Sequence, residues 1–264
     1  MKVGIIQLTS VLEPEKNIRK IRKYLIKAKK QNLKAIFLPE CFYSMCDGEK
    51  ATPFLVKTGN THYKNIQALA RESGLYLIGG SAATEKKGKI FNRTYSFDPT
   101  GRKLPHYDKI NLFSINAASS KKKNLIDEKN IYTPGIKPQL IKLENWRIGL
   151  SICFDLRFPE LFRHYSKKGA NILNVSSAFT VPTGKAHWHS LLRARAIENQ
   201  CFVIAAAQWG THNKNISTFG HSLIIDPWGK ILADAGEGEK LITAVLDLKL
   251  LNRIRTRLNS LPKN

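Results

Sequence analysis

Short apolar runs alternate with amphipathic stretches along this chain, and the alternation is written twice. Val3 to Leu8 (VGIIQL) reads as a buried strand. Ile18, Ile21, Leu25 and Ala28 then recur at helical spacing in a Lys/Arg-rich stretch. KAIFLPE gives a second strand, THYKNIQALARESG a second helix and LYLIGGSA a third strand. The order starts over at Arg147. RIGLSIC reads as a strand, and PELFRHYSKKG as a helix with Pro near its start and Gly169 past its end. ANILNVSSAF, AHWHSLLRARAIENQ and CFVIAAAQ complete the second series. Each series closes on a strand, an Asp-Pro-x-Gly turn and another strand: TYSFDPTGRKL in the first, SLIIDPWGKIL in the second.

Each half therefore reads β-α-β-α-β-β, which predicts an α/β fold. The strands are apolar over most of their length, as expected when one face meets a helix and the other a second sheet. Packing the halves sheet on sheet gives a four-layer α-β-β-α sandwich with an internal pseudo-twofold. No Pro/Gly/Ser linker parts the halves, so residues 1–264 read as one domain rather than two separate doubly wound ones. At 264 residues and 42% hydrophobic composition, the chain is long enough to bury such a core.

Composition narrows the function. No apolar run approaches the length of a membrane span, and MKVGIIQLTS lacks the features of a signal peptide, so a cytoplasmic protein is expected. The four cysteines (Cys41, Cys46, Cys153, Cys201) form no C-x-x-C pair, and no His pair has zinc-finger spacing. Neither a metal nor a disulfide framework is expected. The net charge of +23 raises nucleic-acid binding. The lysines, however, are spread over helix faces and turns, with no basic stripe interleaved with aromatics. That reading is disfavoured, and the charge points instead to anionic small molecules.

In α/β layouts chemistry gathers at the carboxyl ends of strands. There the chain places Glu40 (LPECF), Cys153 (SICFD) and, after the first Asp-Pro turn, Lys109 (HYDKINLF). A thiol near its free pKa is mostly protonated at neutral pH and needs a base; a carboxylate in a water-poor cleft can serve. Acyl attack creates an oxyanion that needs fixed donors, such as an ammonium and the backbone N–H of Phe154. Each residue also has an ordinary explanation: a packing cysteine, a loop carboxylate, a surface lysine. Spacing alone leaves His106, His187 and His221 open as bases.

Taken together, AIFLPECF, HYDKINLF and GLSICFDLRFPELFR resemble the glutamate, lysine and cysteine motifs of the nitrilase, or carbon–nitrogen hydrolase, superfamily, over essentially the whole chain. The resemblance implies a Glu40–Lys109–Cys153 triad that needs no cofactor, with Glu40 as general base, Lys109 stabilising the tetrahedral intermediate and Cys153 as nucleophile. It adds Glu128, in IDEKNIYTPG, as a second glutamate that orients Lys109 or substrate. It also implies that Arg157, Phe179 and Thr180 line the substrate pocket. Arg157 would clamp a substrate carboxylate, or else pair with Asp155 or Glu160. Cys41, Cys46 and Cys201 read as packing, and Arg193 and Arg195 as packing or subunit surface.

The stretches CFDLRFPEL, SSAFTVPTGKAHWHSLLRARAIENQ and FGHSLIIDPWG resemble the Nit-type amidases, in particular the deaminated glutathione amidase group. That implies hydrolysis of a small anionic amide with release of ammonia through a thioester. The same triad serves N-carbamoyl amide hydrolases and nitrilases, which stay open as alternatives. One departure is His189, where Nit-type sequences usually carry a glutamate after AHW. A homodimer or higher homo-oligomer is expected, with the helix after Pro159 and the C-terminal stripe Leu250, Ile254, Leu258 as candidate surfaces.

Overall fold

The computed structural model describes residues 1–114 and 127–258. The lysine run at 121–123 and the end of the C-terminal stretch, residues 259–264, lie outside the described residues. The first series forms β1 (Lys2–Gln7), α1 (Pro14–Lys30), β2 (Ala35–Phe37), α2 (Thr61–Ser73) and β3 (Tyr76–Ile78). A hairpin follows, β4 (Ser81–Lys86) and β5 (Lys89–Thr94), and then β6 (Leu140–Leu143). The second series is β7 (Trp146–Ile152), α3 (Pro159–Lys167), β8 (Ile172–Ser177), α4 (Val181–Asn199) and β9 (Phe202–Ala207). The chain continues through β10 (Trp209–Thr211), β11 (Ser217–Phe219), β12 (Leu223–Ile225), β13 (Ile231–Asp234), β14 (Lys240–Val245) and α5 (Leu248–Arg257).

Two sheets carry the architecture, ordered β14-β1-β2-β3 and β13-β12-β9-β8-β7-β6. Within each, the three strands of the repeat run parallel. The strands are buried on both faces because each face meets a different layer. Val3, Ile5, Ala35 and Phe37 share one cluster with Ile148, Leu150, Ile152 and Val203 across the sheet–sheet boundary. Ile6, Ile36, Leu38 and Leu77 point the other way, onto Ile18, Ile21 and Leu25 of α1 and Ile66 and Leu69 of α2. The second sheet is covered by Phe162 and Tyr165 of α3 and Trp188 and Leu192 of α4. This is the α-β-β-α sandwich expected from the sequence. Gly149 in β7 permits a close helix contact: a Cβ there would lie 2.5 Å from the Tyr165 ring. The Tyr165 hydroxyl donates to Leu150 O at 2.6 Å.

The pseudo-twofold holds for the three parallel strands and their helices and is uneven beyond them. In the second half SLIIDPWGKIL forms β12 and β13 as predicted. In the first half TYSFDPTGRKL gives Thr94 to the end of β5 and beyond it makes only the bridges Leu77–Phe97 and Phe97–Lys103. Its turn closes through Gly101 N–H to Asp98 O at 2.9 Å. The Asp98 carboxylate takes the amides of Thr100 and Arg102, as Asp226 takes those of Trp228 and Lys230 in the second half, so the turns match and only the ladder beyond them differs. Four features went unpredicted: the β4–β5 hairpin, β6, the β10–β11 hairpin, and β14. The last pairs antiparallel with β1 along its whole length, from Lys2–Val245 to Gln7–Lys240. The C-terminal half thus completes the N-terminal sheet. The C-terminal stripe is also corrected: α5 buries Leu251 and Ile254 against its own chain, while Leu258 is exposed. Among the described residues no helix is long and apolar enough to cross a membrane.

Candidate active site

Strand ends and the turns after them bring the candidate residues to one cavity. Glu40 follows β2 at a turn in which Cys41 adopts φ 52°, a left-handed conformation uncommon for a residue with a side chain. Its main chain is tied at both sides: Gln208 Nε2 donates to Glu40 O at 2.8 Å, and Cys41 N–H donates to Ser81 Oγ at 3.0 Å. Cys153 follows β7 and opens a 3₁₀ turn, Cys153–Arg157, again with a left-handed φ of 48°. Such backbone strain persists only where surrounding contacts enforce it. Here the enforcer is Asp155. Its carboxylate accepts from Ile152 N–H (2.9 Å), Tyr107 O–H (2.8 Å), and the backbone and side-chain N–H groups of Asn111 (2.9 Å each). One buried carboxylate thereby fastens the cysteine turn to the segment that carries Lys109.

Lys109 is placed by its N–H donating to Asn92 O on β5 at 2.9 Å. Its ammonium donates to Glu40 Oε1 at 2.9 Å and to Glu128 Oε1 at 2.9 Å, and lies 2.7 Å from Glu128 Oε2. Asn92 Nδ2 adds a 2.8 Å bond to Glu40 Oε1, and Ala178 N–H donates to Glu40 Oε2 at 2.8 Å. Glu128, in a 3₁₀ turn at Glu128–Asn130, accepts Phe113 N–H at 2.7 Å. All of Glu40's oxygens are engaged, and the lysine is 1% exposed.

The electrostatics follow from two carboxylates and one ammonium out of water. Burial works to lower the Lys109 pKa, but Glu128 and Glu40 outweigh it and hold the ammonium well above its ordinary range. Glu128 is raised, first by burial, with Lys109 opposing. The Cys153 thiol is pushed well above its usual value, mainly by burial and then by the Glu40 charge, against the pull of Lys109. The resting sulfur is therefore a neutral thiol beside a carboxylate rather than a standing thiolate. Chemistry at this sulfur requires its proton to leave as the new bond forms.

The cavity has a volume of ≈ 100 Å³, room for several water-sized groups at roughly 10–15 Å³ each. The eight residues read as catalytic or substrate-binding from the sequence line it: Glu40, Lys109, Glu128, Cys153, Phe154, Arg157, Phe179 and Thr180. Arg157 does not pair with Asp155, whose oxygens are taken up as above. Its guanidinium lies over the rings of Phe154 (5.7 Å) and Phe179 (5.6 Å), and it donates to His187 Nδ1 at 3.2 Å.

Among the described residues no histidine lines the cavity. His106 lies with Asp108 and Ile136 at another depression, where burial brings its pKa down to about 4. His187 Nδ1 accepts from Arg157, and His221 sits with Asp234. His189 does not reach the cavity either; it lies 3.2 Å from Asp234. Cys41 and Cys46, read as packing, line the cavity, whereas Cys201 is buried elsewhere. Arg195 is structural, donating to Leu156 O and pairing with Glu198.

Sequence reading missed Asn92, Asp155 as an anchor, and the apolar wall of Met45, Ile131, Tyr132 and Ile216. Asp155 carried a signal: an acid two residues past a strand-end thiol, inside an otherwise apolar run, needs donors. Asn92 carried none, since its hairpin was not predicted.

The Carbon-nitrogen hydrolase family matches residues 2–256. Omega-amidase NIT2 of Xenopus tropicalis is 33% identical over 257 residues, covering 97% of this chain and 92% of that protein. A deaminated glutathione amidase of Synechocystis is 36% identical over 261 residues, covering 97% and 95%. Among solved structures, Nit3 of Saccharomyces cerevisiae, a member of branch 10 of the nitrilase superfamily, superposes with a TM-score of 0.87. It shares 30% identity over 98% of this chain and 94% of its own.

Proposed function

This chain belongs to the carbon–nitrogen hydrolase family, and on that premise we propose that it is an amidase that cleaves the terminal amide of a small anionic substrate through a Cys153 thioester. The observation that carries the reading is the convergence of Glu40, Lys109, Glu128 and Cys153 on one buried cavity. Relatives named omega-amidase and deaminated glutathione amidase support an amide substrate.

In this reading the neutral thiol attacks the amide carbon while its proton passes to Glu40. The total charge of the pocket is unchanged by that step; what moves is negative charge, from Glu40 to the substrate oxygen. The Lys109 ammonium, already held by two carboxylates, receives that oxygen together with a backbone N–H of the 3₁₀ turn at Phe154. The first N–H groups of such a turn lack partners within it. Glu40 then protonates the leaving nitrogen, the C–N bond breaks, and ammonia departs from the thioester. Water adds to the thioester as Glu40 takes its proton, and collapse returns the thiol and the product carboxylic acid. Glu128 keeps Lys109 charged and aimed. Arg157, with its planar fork braced by Phe154 and Phe179, meets a substrate carboxylate bidentately.

The test is ammonia release over a panel of ω-amides bearing a carboxylate, neutral amides, N-carbamoyl amino acids and nitriles, with Cys153→Ala as blank. Activity concentrated on the carboxylate-bearing amides and absent from the folded Cys153→Ala protein is expected. Undiminished turnover by that variant ends the reading. A single domain and a homo-oligomer belong to the same proposal. Trp228, 61% exposed beside α5, marks the face to examine, and light scattering of a Trp228→Ala variant reads it.

A further inference from the structure

On the face where α4 passes the turn into β12, two imidazoles meet one carboxylate. His189 Nε2 lies 3.2 Å from Asp234 Oδ2; His221 Nδ1 lies 3.1 Å from Oδ1 and 3.2 Å from Oδ2. The three residues come from α4, from the segment before β12 and from the end of β13. Each offers one ligand atom, and these atoms lie within 4.8 Å of one another. The side chains are 36%, 25% and 32% exposed, so solvent ions reach them.

The cluster is held from behind. Phe219 stacks on the His221 ring at 4.5 Å and 19°, and meets the His189 ring edge-to-face with centroids 6.2 Å apart. His221 adopts a left-handed φ of 52°, enforced by its N–H donating to Gly236 O (3.0 Å) and its carbonyl accepting Trp188 Nε1 (2.7 Å). Asp234 Oδ1 also accepts Gly236 N–H at 2.7 Å. Outer bonds of this kind fix the orientation of metal ligands.

Two imidazoles and a carboxylate are the donor set of borderline divalent ions. Bonds of 2.0–2.1 Å arranged tetrahedrally put neighbouring donors about 3.3 Å apart. The 3.1–3.2 Å separations between each imidazole and Asp234 already approach that edge. We propose that His189, His221 and Asp234 bind a divalent ion of the zinc type, with solvent in the fourth position, clipping α4 to the β12–β13 corner. The first turn of α4 supplies Thr180 and Thr183 to the cavity, and Thr180 bridges to Thr218 of β11. An ion at the clip therefore braces one wall of the cavity without entering it.

Cys41, Cys46 and Cys153 are themselves zinc ligands by chemistry, so the experiment must separate the two places. Zinc titration by equilibrium dialysis is run on the full chain and on a variant with these three cysteines changed to serine. Cobalt spectra of both are recorded. The expected result is one zinc per chain in the serine variant, and a cobalt spectrum without a sulfur-to-metal band. Adding His189→Ala, a change on a partly exposed helix face, should weaken binding at least about tenfold, as should Asp234→Asn. Should the serine variant fail to fold, His189→Ala and Asp234→Asn in the native background serve, read by loss of the sulfur-free cobalt spectrum. Zinc bound only through thiols, or zinc binding undiminished by both substitutions, overturns the proposal.

Discussion

Replacing Lys109 by Met tests the charge balance of the cavity with little change in shape. The ammonium is 1% exposed and lies 2.7–2.9 Å from oxygens of two carboxylates. At such distances each attraction is about 6 kcal/mol with an effective dielectric near 20. The cost of drying three charges offsets most of that gross figure. The net loss on removing one partner of a buried pair is about 3–5 kcal/mol. The pH dependence carries the sharper signature. Glu128 is already raised by burial with Lys109 present, and without the ammonium each carboxylate also repels the other. A carboxyl whose folded pKa lies above its unfolded value contributes stability that is present at low pH and lost as pH rises through the folded pKa. The deficit of Lys109→Met should therefore be full at pH 8 and shrink toward pH 5. Urea denaturation of both proteins at the two pH values measures it. A deficit below about 1 kcal/mol, or one equal at both pH values, refutes the account of the pocket as two carboxylates sharing one cation. The same variant should lose about 10²–10³ in turnover, the usual cost of an oxyanion donor.

Three other perturbations separate the roles. Glu40→Gln removes the largest charge raising the Cys153 thiol, so alkylation by iodoacetamide at pH 8 should quicken while ammonia release falls by about 10²–10⁴; slower alkylation would contradict the electrostatics. Arg157→Ala should raise KM for carboxylate-bearing amides roughly tenfold or more, the worth of a charged hydrogen bond, with kcat and neutral amides little changed; a selectivity that survives it removes the clamp. Asp155→Ala strands the donors of Tyr107, Asn111 and Ile152 and should cost about 3 kcal/mol or more in urea denaturation together with turnover; a neutral result would show that the cysteine turn does not depend on this anchor.

What the sequence disclosed follows from which forces are local. Strands buried on both faces leave an unbroken apolar run, and a helix on a sheet leaves a 3.6-residue stripe, so the repeated β-α-β-α-β was visible in VGIIQL and RIGLSIC alike. Glu40 and Cys153 were placed by strand ends, where a parallel sheet exposes side chains; Lys109 follows a turn, and the likeness of the three motifs to the nitrilase superfamily joined it to them. Their meeting could not be read, since it depends on which sheet faces which. β14 was invisible for the same reason: KLITAV is a modest run whose partner, β1, lies more than 230 residues away. Asn92 hid in a hairpin turned by Lys87 and Gly88, both at positive φ, a two-residue turn without the usual Asn-Gly or Asp-Gly signal. The histidines misled for a different reason. Imidazole is the common partner of a reactive thiol, but here the acid that touches the sulfur's neighbours arrives from the other sheet.

That arrival explains why a twice-written chain carries one site. The loops after β2 and β8 hold corresponding places in the two halves, and across the sandwich they meet directly: the amide of Ala178, just past β8, donates to the carboxylate of Glu40, just past β2. Gln208, past β9, takes the Glu40 carbonyl from the same side. The second half thus supplies a strand-end thiol and the donors that fix the Glu40 carboxylate, while the first half supplies that carboxylate and, through β5, the lysine. Neither half alone places a carboxylate against Cys153. The sulfur's raised pKa is a property of the closed interface, because burial is its first cause and Glu40 its second. The apolar cluster that joins Val3, Ile5 and Phe37 to Ile148, Leu150 and Ile152 therefore does more than stabilise the fold. Any loosening of that seam admits water to the thiol and separates it from Glu40 at once, so the packing of the two sheets and the reactivity of the cysteine stand or fall together.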